Sequence, residues 1–324
     1  MIIAYISTAS TLERVECPLG QQLPDGSVWI DLHNPTREEQ HAVEKFMGAE
    51  IPTRDEIASI ETSERLYLEP GALVMTATLP LATRTPDPKI SAITFVLSHK
   101  HLVTVRYGDP QSIMILDKRV QADKTLDHTG PAVLFLLLDI IIDRCADVME
   151  SASEKFDRMS FKVFEEGLSS RNRDTYQSVI RTQGRIGLQV AKMHDVCASF
   201  ARLFLFLSAN AKRVGLSEEQ TDLCKIYSED FQSIKGHADA LDTKLSFLLD
   251  ATVGLVNLEQ NQIIKIFSVL AVIFLPPTLI ASIYGMNFTD MPELGWHLGY
   301  PFSLFLMFIS VVLTFLYFRW KKLL

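Results

Sequence analysis

IFSVLAVIFLPPTLIASIY, residues 266–284, and YPFSLFLMFISVVLTFLYF, residues 300–318, contain no charged side chain. At about 1.5 Å of rise per residue, each is long enough as a helix to cross the roughly 30 Å hydrocarbon core of a bilayer. The connection between them is short and begins Tyr284-Gly285-Met286-Asn287-Phe288. The reading is therefore a membrane hairpin at the end of an α+β chain, with nearly all polar mass on one side of the bilayer. The predicted spans are 262–284 and 300–318, joined by an external loop at 285–299.

The basic residues around the spans orient the hairpin. Lys265 opens the first span, Arg319, Lys321 and Lys322 follow the second, and the loop between has no Lys or Arg but carries Asp290 and Glu293. Positive charge is retained in the cytoplasm, so the loop is expected outside, with both termini and the basic tail 319–324 inside. The net charge of −8 lies almost wholly before Gly285, with 28 basic against 37 acidic residues there. That balance argues against a nucleic-acid partner and tolerates cations. Cys17, Cys145, Cys197 and Cys224 are scattered without a CxxC pair or a His at metal-ligand spacing, as expected of reduced cytosolic thiols. The first thirty residues have neither the basic start nor the apolar core of a secretory signal.

All fourteen prolines fall at or before Pro131 or between Pro276 and Pro301, leaving 144 residues without one. Such a gap marks long helices. Before it, β-rich runs at 2–7, 28–32, 72–79, 90–97 and 102–106 alternate with turns, which predicts a cytoplasmic α/β domain over 1–130. Thr36 and Glu39 form a capping box that should start a helix, and His99-Lys100-His101 reads as a hairpin tip rather than a metal site. The apolar run 132–142 is broken by Asp139 and is too short to span, so a buried helix is expected. A helical region and stalk should then occupy 131–261.

Ser217 and Gln220 make a second capping box, and no proline follows until Pro276. A helix running on to Gly285 would be about 67 residues and about 100 Å long. Leu223, Ile226, Ile234, Leu241, Leu245 and Leu248 recur at near-heptad steps, the spacing of a buried seam. Beyond them, Asp250, Gly254, Asn257, Asn261, Ile264, Ser268, Ala271, Leu275, Thr278, Ser282 and Gly285 recur in steps of three and four. Small residues and amides on one face suit close helix packing in lipid. The same face equally suits the wall of a water-filled pore.

Mg2+ demands octahedral oxygen coordination and sheds water reluctantly, so a fast pathway should hold it hydrated with neutral oxygens rather than trap it among carboxylates. Asn287 offers an amide oxygen, and Gly285 would let the backbone turn at the helix end with positive φ and an accessible carbonyl. No nucleotide-binding loop, zinc-protease motif or nucleophile elbow occurs, so no enzyme activity is expected.

The run YGMNF at 284–288, followed by Met291-Pro292-Glu293-Leu294 and a final span closed by basic residues, resembles the CorA family of divalent-cation channels. NLEQNQIIKIF at 257–267 and Phe274-Leu275-Pro276-Pro277-Thr278 are similar to its enterobacterial type. Earlier, the resemblance rests on Trp29-Ile30-Asp31-Leu32, on Asn34-Pro35-Thr36 and on the order of elements. It implies a homopentamer with a funnel-shaped cytoplasmic domain, first spans lining the pore and second spans around them. Two spans cannot enclose a pathway, so an oligomer is needed on geometric grounds as well.

By position, the resemblance places Tyr284, Gly285, Met286, Asn287 and Phe288 at an outer selectivity site. It places Asn261, Ile264, Phe267, Ala271, Leu275 and Thr278 along the pore and Asp250 in an acidic ring at its inner mouth, and the helical stripe adds Asn257 and Ser268 to the pore-lining candidates. Phe267 and Ser268 differ by one position between the resemblance and the helical stripe. Mg2+ would be both cargo and regulatory ligand, with Co2+ or Ni2+ as further cargo and no resident cofactor. Asp222, Glu229 and Asp230 are the candidates for regulatory metal binding. Alternatives are Zn2+ transport of the ZntB kind, or a membrane-tethered scaffold or sensor that moves no ion.

Overall fold

The computed structural model describes residues 1–8, 11–59, 61–81, 89–164, 173–287 and 291–321. Phe288, the end of the five-residue selectivity run, lies outside them. The chain divides into two compact units, 1–249 and 250–324.

The first unit is built on a seven-stranded sheet: β1 (Ile2–Ser7), β2 (Leu12–Cys17), β3 (Ser27–His33), β4 (Leu66–Glu69), β5 (Ala72–Pro80), β6 (Ile90–Leu97) and β7 (Leu102–Arg106), in the order β2-β1-β3-β7-β6-β5-β4. Neighbours are antiparallel except the central pair β3 and β7, which run parallel with Trp29 opposite Leu102. The five expected strands are present. The sequence reading passed over β2 and β4, which form the two edges of the sheet. An edge strand needs no buried face on both sides, and β2 carries Glu13, Arg14 and Glu16, charges that discourage pairing with another chain.

Period-two alternation divides the sheet's side chains between two cores. Ile2, Ala4, Ile30, Leu32, Val74, Val103 and Val105 pack with Val43 of α1 (Arg37–Met47) and Ile57 of α2 (Arg54–Ala58). The residues between them face the other layer, made by α4 (Gln111–Ala122), α5 (Gly130–Phe164) and α6 (Arg173–Ala209); α3 is the short turn Thr62–Arg65. The expected cap of α1 is formed, with the Glu39 N–H donating to Thr36 Oγ1 and the Thr36 N–H to Glu39.

On the α4–α6 side the sheet buries an ion pair. Asp31 is 1% exposed and accepts from the guanidinium of Arg106 at 2.9–3.2 Å and from Thr104 Oγ1 at 2.7 Å. Thr104 in turn accepts from the Trp29 indole at 3.0 Å, and Trp29 stacks on Tyr5 at 4.0 Å. Burial alone would lower the Arg106 pKa, but the adjacent Asp31 carboxylate outweighs it and the net shift is upward. Burial and a hydrogen bond to Asp117 push the Tyr5 hydroxyl up.

The apolar run at 132–142 is buried at the start of α5 as expected. Gly130 sits where a Cβ would come within 2.4 Å of the His101 carbonyl carbon, so only glycine lets this helix start against the β6–β7 turn. That turn is the predicted hairpin tip, and His99 and His101 face the backbone carbonyls of Val214 and Ser27.

Helix α7 runs from Glu218 to Tyr284, 67 residues, capped by Ser217 and Gln220 as read from the sequence. Its buried seam in the first unit is Cys224, Phe231, Ile234, Ala238, Leu241, Leu245 and Leu248. At its start this corrects the expected register: Ile226 is half exposed and Leu223 only half-buried. Aromatic packing decides the register, because Phe231 stacks on Phe200 at 4.5 Å and Tyr227 meets Phe204 and Phe135.

Candidate functional site

The second unit holds the end of α7, a 3-10 turn at Pro292–Gly295 and α8 (Gly299–Trp320). Both α7 and α8 contain windows long and apolar enough to cross a membrane, with mean hydropathies of 2.3 and 2.2. Large apolar side chains such as Phe267, Phe274, Leu275, Phe308 and Leu313 are more than half exposed on them. In water so much exposed apolar area would be costly; in lipid it is the ordinary state.

Each helix is shielded along one stripe. On α7 the half-buried residues from 269 onward are Val269, Ile273, Pro276, Pro277, Ile280 and Tyr284; on α8 they are Met307, Ser310, Val311, Thr314 and Phe318, with Ser303 buried. At about 100° per residue, the α7 set falls within an arc of about 100°. Ile264, Phe267, Ala271, Leu275 and Thr278 fall in an arc of about 80° centred about 170° away, on the opposite side of the helix. All five are exposed, as are Asp250, Asn257, Asn261 and Ser268. Phe267 and Ser268 lie about 40° and about 60° from the centre of that arc, on either side of it, so both border the same face. The stripe on α8 was not singled out from sequence, although Ser303, Ser310 and Thr314, at steps of seven and four in an apolar helix, were a legible signal.

Pro276 and Pro277 sit inside α7 without ending it. Lacking N–H groups, they remove the helical donors to the carbonyls of Val272 and Ile273. One residue on, Thr278 Oγ1 donates to the Phe274 carbonyl at 2.7 Å, so its hydroxyl can present only its oxygen outward.

The helix closes at the selectivity run. The Gly285 N–H donates to Ala281 O at 3.0 Å and the Met286 N–H to Ile283 O at 3.2 Å. Gly285 is not among the residues with positive φ, which corrects the left-handed turn expected there. A Cβ there would lie 3.1 Å from the Ala281 carbonyl oxygen, a tight approach relieved by a shift of a few tenths of an ångström. Tyr284 is half-buried, while Gly285, Met286 and Asn287 are exposed. Orphan carbonyls and the negative end of the helix dipole gather here, two residues before the exposed Asn287, an arrangement that attracts cations without a formal charge.

The residues named for regulatory binding do not converge within one chain. Asp222 pairs with Lys225 at 2.8 Å, Glu229 and Asp230 are exposed, and among the described residues no three His, Cys, Asp or Glu side chains group to hold a metal.

The profile of the family described as "CorA-like Mg2+ transporter protein" matches residues 24–322. The chain belongs to that family. It is 31% identical over 322 residues to proteins named magnesium transport protein CorA from Salmonella typhimurium and from Escherichia coli, covering 99% of each partner. Family membership makes the chain a transporter rather than an enzyme. Among solved structures, the complete CorA magnesium transporter from Methanocaldococcus jannaschii superposes with a TM-score of 0.76 at 18% identity, covering 98% of this chain and 97% of that one. The full-length CmaX protein superposes at 0.69 with 14% identity, covering 99% and 98%. These likenesses extend the fold across both units.

Proposed function

We propose that the protein is an inner-membrane Mg2+ influx channel formed by several copies of the chain, with a pentamer as the assembly. The observation that carries this reading is the exposed stripe of α7 opposite its shielded face, ending at Gly285 and Asn287. A face lined by Asn257, Asn261, Ser268, Ala271 and Thr278 is poorly suited to lipid and well suited to water, and copies arranged around an axis would supply the water. The names of the relatives at 31% identity support Mg2+ as the cargo.

In this mechanism Asn287 and the carbonyls around Gly285 hold hydrated Mg2+ at the outer mouth, where neutral oxygens order the hydration shell without stripping it. Ile264, Phe267 and Leu275 form an apolar constriction that stops conduction when it dewets. Asp250 raises the local cation concentration at the inner mouth. An inside-negative potential drives entry, releasing about 4.6 kcal/mol per 100 mV for two charges. Mg2+ bridging acids of neighbouring copies, with Asp222, Glu229 and Asp230 as candidates, stabilises the closed state in proportion to its internal concentration. Co2+ and Ni2+ are further cargo.

The test is Mg2+ flux into proteoliposomes. Asn287→Ala should abolish uptake while the oligomer remains assembled by size exclusion; undiminished uptake would remove Asn287 from the selectivity site. Running Co2+, Ni2+ and Zn2+ alongside settles the cargo, and no flux of any of them through an intact oligomer would favour a tethered sensor.

A further inference from the structure

Helices α5 and α6 carry a basic cleft that the transport pathway does not use, and we propose that it binds a soluble polyphosphate anion. One cavity of about 180 Å3 between the helices is lined by Lys155, Arg158 and Lys162 from α5 and by Ser178 and Thr182 from α6. A second, of about 390 Å3, shares Ser178 and Thr182 and adds Arg181 and Arg185. Among the described residues no carboxylate lines either cavity, although acids outnumber bases by 39 to 31 in the chain.

Helix geometry gathers these charges. Lys155, Arg158 and Lys162 are spaced three and four apart on one face of α5, and Arg181 and Arg185 are four apart on α6. Like charges at such spacings repel. Among the described residues only Arg158 is relieved by an ion pair, to Glu154 at 3.4 Å on the exposed side. Within the described residues Lys155, Lys162, Arg181 and Arg185 join no ion pair, and Lys155 is half-buried. A surface that gathers five cations, with Glu154 the one carboxylate paired to them among the described residues, in an otherwise acidic protein is arranged for an anion from outside.

The chemistry selects phosphate. Arginine forks grip phosphate oxygens in pairs, and lysines add point charge. Five positive charges match a tri- or tetra-anion better than a single phosphate. The Thr182 hydroxyl is committed to the Ser178 carbonyl at 2.8 Å, so the cations supply the donors.

The experiment is calorimetric titration of inorganic tripolyphosphate into the detergent-purified full-length oligomer in Mg2+-free buffer. The double variant Arg181→Gln/Arg185→Gln, both on the exposed surface, should bind about tenfold more weakly or worse, a difference of about 1.4 kcal/mol. Lys212→Gln/Arg213→Gln, which removes two cations outside the cleft, should bind as the parent does. No binding by the parent, equal binding by the cleft variant, or equal weakening in the control would overturn the proposal. A response only to anionic phospholipid in nanodiscs would reassign the cleft to a headgroup. Dissociation of the oligomer in the cleft variant would reassign it to a neighbouring copy, and either result overturns the soluble-anion site.

Discussion

Replacing Arg106 with Met tests the sheet's buried ion pair directly. The substitution keeps the bulk of the side chain and removes three contacts to Asp31 at 2.9–3.2 Å, leaving a carboxylate that is 1% exposed with the Thr104 hydroxyl as its remaining side-chain donor among the described residues. Stranding a buried charge in this way costs about 3–5 kcal/mol. Asp31→Leu should cost less, because Arg106 keeps Asp109 at 2.6 Å and the Gly108 carbonyl at 2.9 Å. The double variant leaves no stranded charge, so its loss should fall about 2 kcal/mol or more short of the sum of the singles. Trp29 is a built-in reporter, being fully buried and bonded through Thr104 to the same network. In a Trp296→Phe/Trp320→Phe background its fluorescence follows this region alone. At about 2–4 °C per kcal/mol for a unit of this size, Arg106→Met should lower the melting midpoint by about 10 °C. A shift under about 3 °C, or strictly additive single variants, would refute the claim that the pair acts as one buried unit.

Ala271→Cys should react with a water-soluble methanethiosulfonate reagent and lose Mg2+ flux, whereas Leu270→Cys, about 100° around the helix, should keep it; equal modification of the two would place the stripe wrongly. Gly285→Val should reduce flux more than Gly285→Ala, because a Cβ already meets the Ala281 oxygen at 3.1 Å and branching adds bulk there; proteoliposome uptake ranks them. Burial pushes the Cys197 and Cys224 thiols up to about 11 from an ordinary value of 9.0. Their contribution to stability is therefore fully present below pH 9 and is lost as pH rises toward about 11, which unfolding across that range would reveal. Iodoacetamide at pH 8 should label neither until the chain unfolds, as read by mass spectrometry.

Much of the candidate site was legible because its signals are local. Uncharged runs of 19 residues, a proline-free stretch of 144 and two capping boxes each lie within a segment that folds by its own periodicity. The stripe from Asn257 to Thr278 could be read for the same reason: on a helix, spacing alone fixes which residues share a face. At Gly285 the expected left-handed turn is absent, and a close approach to the Ala281 carbonyl stands in its place.

By itself, then, the sequence determined the hairpin, the 67-residue helix, five strands and the run of residues at the helix end. Tertiary structure decided that β3 pairs in parallel with β7, that Asp31 meets Arg106 across 75 positions, that aromatic stacking sets the α7 seam, and that the polar stripe lies opposite the shielded face of its own helix. The division has a physical cause. Periodicity records how each segment meets an apolar surface, whereas the choice of partner depends on residues far apart in the chain, whose complementarity appears only once they are packed together.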